Sequence, residues 1–377
     1  MSLVYGFVGT ILGITVIAHF LTTALSAARY LRPVRPAPRM LPPIALLRPV
    51  CGVDPFDTQT LESSFHLDYP DYEVIFCAPS ENDPACALVR ELIARNPQVR
   101  ARLLTGLDPV SANPKLNNLH KALAATDADW LAMVDSNLDL PRDYFQQLLA
   151  EWRPGTGLVS APAIGAQPAN LWGAVEAAFL NTNQARWQLS ADVLGVGFAQ
   201  GKSLFWRRDI LEAGGGFPAL GRNMAEDVAS TKLVRDQGLK VRITQRLFAQ
   251  PIGQRSARAV WDRQLRWSKV RRDGFAAIFA IEIAQGPLVP FLATLALSAA
   301  GLLPALALPV LAILWYAAEW ALARIAGWPA GPRDLVAFLL RDAMLPLIWC
   351  ATWRNREFSW RGNQMSHSEV RAGSAKQ

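Results

Sequence analysis

Residues 130–137 read Trp-Leu-Ala-Met-Val-Asp-Ser-Asn, an apolar run that ends abruptly in three polar side chains. The five apolar residues have the length and composition of a buried strand, and Asp135 and Asn137 follow its carboxyl end. In parallel α/β sheets, ligands bind outside the carboxyl ends of the strands. Asp135 is therefore a candidate to hold a divalent cation, with a weaker contact from Asn137, although Asp, Ser and Asn also make ordinary turns.

The segments around this run alternate between strand and helix patterns. Strands that alternate with helices indicate a mostly parallel sheet with helices on both faces. The sequence therefore predicts an α/β fold, and Asp83 is a second acidic residue expected beyond a strand end. The predicted strands are residues 44–47, 72–77, 99–104 and 130–134, and the predicted helices are about residues 57–67, 84–95 and 114–125.

Long apolar segments enclose this region at both ends. Residues 3–28 carry no Lys, Arg, Asp or Glu and are long enough to cross a hydrocarbon core of about 30 Å. Residues 287–323 predict two short spans, and residues 335–353 predict a third apolar segment. Arg341 and Asp342 interrupt this segment, either as an ion pair inside a span or because it lies in the interface. The predicted organisation is an anchor at 1–30, a Pro-rich linker at 31–43, a globular domain at 44–280, membrane segments at 287–353 and a basic tail at 354–377.

The basic residues that follow the first apolar segment indicate its orientation. Arg29, Arg32, Arg35 and Arg39 place its carboxyl side, and so the globular domain, in the cytoplasm. A composition rich in Ala, Arg and Trp indicates a bacterial protein, so the predicted location is an inner membrane crossed several times.

Composition narrows the class of protein. The 377 residues are 51% hydrophobic and only 18% charged, which excludes a disordered chain and argues against a wholly soluble one. The formal net charge is +7, which suits nucleic acid, an anionic membrane or phosphorylated substrates. The four cysteines have no CxxC spacing, so they are interpreted as inert thiols in a reducing compartment.

Three further motifs could carry chemistry. The pair Glu226-Asp227 suits a general base, because a neighbouring carboxylate raises a pKa, but two acids also suit the first turn of a helix. The basic stretch around Arg263-Gln-Leu-Arg-Trp267 could bind phosphate or nucleic acid, or form a collar beside the membrane. The Gly-rich segment 195–203 fails the phosphate-loop spacing because Val196 stands where Gly is required.

The order of these motifs resembles the D, D, D, (Q/R)xxRW signature of membrane-bound glycosyltransferases with a GT-A fold, and most closely the ceramide glucosyltransferase family. The resemblance covers about residues 45–275, nearly the whole globular domain. The segments that carry it are Arg48–Pro55, Leu67–Val74, Asn82–Ala85, Asn113–Asn118, Asp135-Ser136, Ala225–Asp227 and Arg263–Trp267.

The resemblance implies a role for each matching residue. Asp83 would contact the uridine of a UDP-sugar, and Lys115 would lie near the nucleotide or its phosphates. Asp135 would bind Mg²⁺ or Mn²⁺, and Asp227 would deprotonate the acceptor hydroxyl in an inverting transfer. The remaining implied contacts are Arg263, Arg266 and Trp267 on the diphosphate, with Glu226, Asn137 and Asn118 in support.

The acceptor and the donor sugar stay open at this point. UDP-glucose and ceramide are favoured, with the membrane lipid as partner and without nucleic acid. Asn183–Trp187 departs from the animal family members, and Phe358–Gln364 is similar to bacterial relatives associated with hopanoid synthesis. Transfer of N-acetylglucosamine to a hopanoid is therefore the main alternative. A processive polysaccharide synthase and a membrane-tethered nucleic-acid-binding module are further alternatives.

Overall fold

The computed structural model describes residues 2–36, 38, 41–223, 225–354, 358–360 and 363–365. The chain divides into two compact units, each assembled from separate stretches. The helical unit comprises Met1–Arg32, Gly165–Ser190 and Ile252–Arg356, and the sheet unit comprises Pro33–Ile164, Ala191–Pro251 and Glu357–Gln377. Residues 165–190 and 252–280 of the predicted globular domain at 44–280 therefore belong to the helical unit.

A mixed seven-stranded sheet forms the centre of the sheet unit, in the order β3-β2-β1-β4-β7-β5-β8. Strand β7 runs antiparallel to both of its neighbours, and all the other pairs are parallel. All four predicted strands are therefore confirmed, with ends shifted by at most two residues. The strands are β1 Ile44–Pro49, β2 Tyr72–Ala78, β3 Arg100–Thr105, β4 Trp130–Val134, β5 Thr156–Ser160, β6 Ala163–Pro168, β7 Ser203–Arg207, β8 Lys240–Ile243, β9 Phe248–Gly253, β10 Phe358–Trp360 and β11 Asn363–Met365.

Helices cover both faces of this sheet, as the alternating pattern predicts. One core packs α3 and α5 against β1, β2 and β4, and the second packs α4 and α10 against the opposite face. The helices are α1 Ser2–Leu31, α2 Asp57–Glu62, α3 Ala85–Arg95, α4 Pro114–Ala124, α5 Tyr144–Ala150, α6 Leu171–Ala178, α7 Arg186–Val193, α8 Arg208–Ala213, α9 Gly216–Leu220, α10 Glu226–Asp236, α11 Ala257–Gly274, α12 Ala276–Ile281, α13 Leu288–Ala299, α14 Ala307–Ala326 and α15 Pro332–Arg354.

The burial of each strand explains its sequence. Strands β1, β2 and β4 are buried on both faces, which is why they read as continuous apolar runs rather than as alternating ones. Strand β3 lies at an edge and alternates, with Arg100 exposed and Arg102 paired with Glu73 at 2.5 Å. Charged side chains on an edge strand oppose pairing with other chains.

The helical unit contains the helices that are long and apolar enough to cross a membrane. Three described helices meet that criterion, over residues Leu3–Leu31, Ala307–Ala326 and Pro332–Arg354. A fourth candidate is the bent pair Ala276–Gln285 and Leu288–Ala299, which is kinked by 53°. The two segments predicted within 287–323 are separated near Gly301, which adopts φ +73°. Only one of the described helices in that range, α14, has spanning length by itself, because α13 has 12 residues.

The ion pair expected inside the last apolar segment is present. Arg341 Nε donates to Asp342 Oδ1 at 2.8 Å, and its Nη2 donates to Glu319 Oε2 on α14 at 2.8 Å. All three side chains are almost fully buried, so the charges are paired within the protein.

Two expectations lie outside the described residues. Arg39 of the basic cluster is one, and most of the basic tail at 354–377 is the other. The short strands β10 and β11 of that tail pair antiparallel, in register Phe358 with Met365.

Candidate functional site

A cluster of lysines and carboxylates lies at the carboxyl end of β4. Asp135 directly follows this strand, and its Oδ1 is 2.7 Å from Lys115 Nζ on α4. Its Oδ2 is 3.1 Å from Lys202 Nζ, just before β7. Lys115 Nζ also lies 2.6 Å from Glu226 Oε1 and donates to the Gly201 carbonyl at 2.7 Å. Residues from four distant parts of the chain therefore meet at this edge of the sheet.

Burial makes the charges of this cluster depend on each other. Burial by itself raises the pKa of Asp135, but Lys115 and Lys202 outweigh it and hold that pKa below its ordinary value. Burial lowers the pKa of Lys115, but Asp135 and Glu226 outweigh it and hold that pKa above its ordinary value. The side chain of Asp135 keeps 27% exposure, against 7% for Lys115, so Asp135 is the more accessible partner of this pair.

Asp227 lies next to this cluster in a different electrostatic setting. Its Oδ2 accepts from the Gly201 amide at 3.2 Å, and its Oδ1 accepts from the Val228 amide at 2.7 Å. Burial and the Glu226 carboxylate raise the pKa of Asp227 to about 6, and they outweigh the lowering effects of the Val228 and Gly201 amides and of Lys115. A carboxylate with such a pKa suits a general base near neutral pH.

Local structure positions these side chains. Asn113 caps α4 by accepting from the Lys115 amide at 2.9 Å, and Pro114 occupies the first turn. The Asn113 amide also donates to Glu226 Oε2 at 3.0 Å, which links the starts of α4 and α10. A Cβ atom on Gly201 would lie 2.6 Å from Glu226 Oε1, so any larger residue would push the Glu226 carboxylate away from its contacts with Lys115 and Asn113.

Three other predicted residues lie in the same unit. Both carboxylate oxygens of Asp83 accept from the Gly52 amide, at 2.9 and 3.2 Å, beyond the ends of β1 and β2. Asn137 Oδ1 accepts from Lys202 Nζ at 3.0 Å, at the edge of the cluster. Asn118 donates to the Cys77 carbonyl at 2.6 Å, so its amide ties α4 to the end of β2.

The remaining three predicted residues lie on α11 of the helical unit. Arg263 Nη1 is 2.5 Å from Glu176 Oε1, and Arg255 Nε is 3.2 Å from Glu176 Oε2. Glu176 is fully buried, whereas about a quarter of the Arg263 side chain is exposed. The Trp267 ring packs beside the Arg263 guanidinium at 5.9 Å, and Arg266 lies on the same helix.

Sequence reasoning missed Lys202 and Glu176. Lys202 belongs to the Gly-rich segment rejected as a phosphate loop, and its position directly before a buried strand was a usable signal. Glu176 lies in an apolar helix with no motif around it, so nothing in the sequence identifies it. Its function depends on a contact over 87 residues of sequence.

The oxygen atoms of Asp135 and Asn137 suit a hard divalent cation. Among the described residues, no group of three or more His, Cys, Asp or Glu side chains could hold a metal by itself. Mg²⁺ is ordinarily bound by one or two carboxylates together with substrate phosphates and water, and Asp135 offers one such carboxylate. Its two oxygens and Asn137 Oδ1 contact the Lys115 and Lys202 ammonium groups, so a bound cation would displace at least one of these lysines.

Comparisons with known proteins identify the family of this chain. The model of a family described as Glycosyl transferase family 21 matches residues 8–373. Ceramide glucosyltransferase 1 of Caenorhabditis elegans is 28% identical over 271 residues, which cover 71% of this chain and 58% of that protein. The ceramide glucosyltransferase of Komagataella phaffii is 40% identical over 111 residues, 28% of this chain and 22% of that protein.

A solved structure shows the same fold. The mannosyltransferase from Pyrobaculum calidifontis in complex with GDP-Man and Mn²⁺ has a TM-score of 0.54 and 19% identity, covering 89% of this chain and 99% of that one. At this identity the likeness concerns the fold alone, and it confirms the predicted GT-A architecture.

Proposed function

Because this chain belongs to glycosyl transferase family 21, we propose that it transfers a sugar from a UDP-sugar to the hydroxyl of a membrane lipid. The observation that carries this proposal is the cluster in which Lys115 joins Asp135 to Glu226, with Asp227 beside it. The names of the relatives favour UDP-glucose as donor and ceramide as acceptor. The chain spans 58% of the length of the first of these relatives, so the substrates are part of the proposal.

In this reaction the acceptor oxygen attacks the anomeric carbon of the sugar and displaces UDP with inversion. The carbon–oxygen bond to the β-phosphate breaks, and UDP leaves with the electron pair. The attacking hydroxyl is weakly acidic and needs a carboxylate within hydrogen-bond reach. Asp227 takes this proton, since its pKa of about 6 leaves it ionised at neutral pH and still basic enough to accept.

The leaving diphosphate gains negative charge that the site must stabilise. Lys115 and Lys202 each donate from an ammonium group that Asp135 holds in place at 2.7 and 3.1 Å. Fixed donors that need no reorganisation are the most effective stabilisers of developing charge. A divalent cation held by Asp135 would supply further neutralisation of the diphosphate.

The other predicted residues keep their implied roles in this proposal. Asp83 receives the uridine, near the ends of β1 and β2. Arg263, Arg266 and Trp267 remain predicted contacts of the diphosphate, and within the helical unit the buried Glu176 holds the Arg263 guanidinium. We expect Glu226 to orient Lys115 rather than to act as the base, because its carboxylate is already paired.

A lipid acceptor also explains the helical unit. The three candidate spans would anchor the enzyme where its acceptor resides. Arg29 lies in the last turn of the first of them, and Arg32 and Arg35 follow it, which favours a cytoplasmic sheet unit with access to UDP-sugars. We propose a bacterial inner membrane as the location and 44–280 as the catalytic portion.

The deciding experiment supplies the purified full chain in nanodiscs with radiolabelled UDP-glucose, Mn²⁺ and ceramide. We expect a ceramide hexoside by mass spectrometry from the native chain and none from Asp227→Asn. Parallel reactions contain UDP-N-acetylglucosamine with bacteriohopanetetrol. A product only in the hopanoid reaction would replace ceramide as acceptor, a polymer would indicate a synthase, and no transfer in any reaction would refute lipid glycosylation.

A further inference from the structure

A fully buried arginine lies beneath the turn that carries Asp135. Arg48 is on β1 with 0% exposure, and alternation along the strand places its side chain on the same face as Ile44 and Leu46, which belong to the core that contains α3 and α5. The Asp135 carboxylate contacts Lys115 on α4, and α4 packs against the other face of the sheet. The arginine and the lysine therefore approach this turn from opposite faces of the sheet.

The hydrogen bonds of Arg48 go to main-chain carbonyls. Its Nη2 donates to the Ser136 and Leu138 carbonyls, both at 3.2 Å. The same nitrogen donates to the Thr60 carbonyl of α2 at 2.6 Å. The Leu138 amide closes the turn by donating to the Asp135 carbonyl at 3.2 Å. A single guanidinium nitrogen therefore joins two carbonyls of this turn to α2.

The core by itself gives no reason for a charge at this position. Burial lowers the pKa of Arg48 to about 10, although Tyr144 and three carboxylates act in the opposite direction, so the guanidinium is charged at neutral pH. Its Nε and Nη1 have no hydrogen-bond partner among the described residues, which adds to the cost of burying it. An apolar side chain would suit the core at a lower cost, as Leu46 does. The hydrogen bonds to the turn are what an apolar side chain could not supply.

The turn carries two side chains of the candidate site. The Asp135 oxygens contact the ammonium groups of Lys115 and Lys202 at 2.7 and 3.1 Å, and Asn137 Oδ1 accepts from Lys202 at 3.0 Å. These oxygens keep their positions only while the backbone between Asp135 and Asn137 keeps its path. A misplacement of about 1 Å in an active site can cost about 10²-fold in rate. Hydrogen bonds that fix this backbone therefore act on the site itself.

We propose that Arg48 is a positioning residue that holds the turn at 135–138 and thereby fixes Asp135 and Asn137 for the diphosphate of the donor. This inference rests on the proposed function in one respect, that the diphosphate binds at Asp135. Arg48 does not itself touch the substrate, because it is fully buried beneath the turn. Its loss weakens donor binding through the backbone of the turn.

Two measurements on the purified full chain test this assignment. Hydrogen–deuterium exchange of the Leu138 amide reports on the turn, and calorimetry with UDP and Mn²⁺ reports on the site. Arg48→Met removes the donors, and Arg48→Gln does the same because its shorter carboxamide does not reach the turn. Arg48→Lys is the conservative variant, since an ammonium group has three hydrogens for the three carbonyls.

Leu46→Ala is the matched control for stability. Leu46 lies on the same strand and the same face as Arg48 and is equally buried. Its truncation opens a cavity in this core and lowers the midpoint of thermal unfolding. A leucine side chain has no group that could hydrogen-bond to the turn, so this variant separates loss of stability from loss of positioning.

We expect Arg48→Met and Arg48→Gln to speed exchange of the Leu138 amide at least about tenfold and to raise the Kd for UDP by a similar factor. Arg48→Lys should stay close to the native chain in both measurements. Leu46→Ala should unfold at a lower temperature with native exchange at the turn and a native Kd.

Four results would overturn the inference: native exchange or a native Kd in a folded Arg48→Met or Arg48→Gln, effects of the same size in Leu46→Ala, an Arg48→Lys as impaired as Arg48→Met, or failure of both Arg48→Met and Arg48→Gln to fold. If exchange at the turn depends on Arg48 but the native chain neither binds UDP nor transfers a sugar, the positioning of the turn holds and the proposed function fails.

Discussion

Replacing Asp227 by Asn should inactivate the protein and also stabilise it. The rise of the Asp227 pKa from 3.8 to about 6 means that the folded state disfavours its charge. This difference corresponds to at most about 3 kcal/mol at neutral pH, and Asn removes the charge. Asn keeps only one oxygen, so the bond from the Gly201 amide is lost at a cost of about 1 kcal/mol. The net expectation is stabilisation by about 1–2 kcal/mol.

The pH dependence of this gain gives the sharper test. An acid with a raised folded pKa costs no stability below its unfolded pKa of 3.8, and the cost is complete above about 6. Thermal unfolding of the purified chain should therefore show Asp227→Asn a few degrees more stable at about pH 7.5 and equal to the native chain near pH 4. The same ionisation controls turnover, which should fall at about pH 5 to roughly a tenth of its plateau.

Glu226→Gln is the matched control, since it makes the same chemical change one residue away. Glu226 Oε1 is 2.6 Å from Lys115 Nζ, so losing its charge removes an ion pair and should destabilise the protein. Transfer should fall less than the factor of about 10²–10⁴ expected for Asp227→Asn. If Asp227→Asn were less stable than the native chain at about pH 7.5, or if its effect were independent of pH, the electrostatic argument would be wrong.

Three further changes test the rest of the site. Asp135→Asn should abolish transfer at any practical Mn²⁺ concentration, and chelator should abolish it in the native chain; turnover undiminished by excess chelator would refute the metal role. Gly201→Ala places a Cβ 2.6 Å from Glu226 Oε1, so we expect the KM for donor to rise at least about tenfold. Circular dichroism should show an intact fold, and an unchanged KM would contradict the importance of this close approach. Glu176→Gln should weaken UDP binding, measured by calorimetry, as much as Arg263→Gln does, because it releases the Arg263 guanidinium. A normal affinity for UDP would show that Arg263 does not need the Glu176 carboxylate.

The local sequence pattern was sufficient to predict those elements whose structure depends on residues close together in the chain. The apolar runs at β1, β2 and β4 predicted those strands, because a strand buried on both faces must be apolar throughout its length. The position of Asp135 after β4 predicted a site at that sheet edge, since parallel strands share the edge at which they end. The uncharged stretch at 3–28 predicted α1 for the same kind of local reason.

The tertiary structure alone decided which charges meet. Lys115 lies 111 residues from Glu226, and no local pattern records that their side chains are 2.6 Å apart. Glu176 stood unnoticed in an apolar helix until folding placed Arg255 and Arg263 on its two oxygens. The burial and the surrounding charges that set the pKa of Asp227 depend on distances through space. A sequence specifies those distances only through the complete packing of the chain, which is why the residue types could be predicted and their electrostatic roles could not.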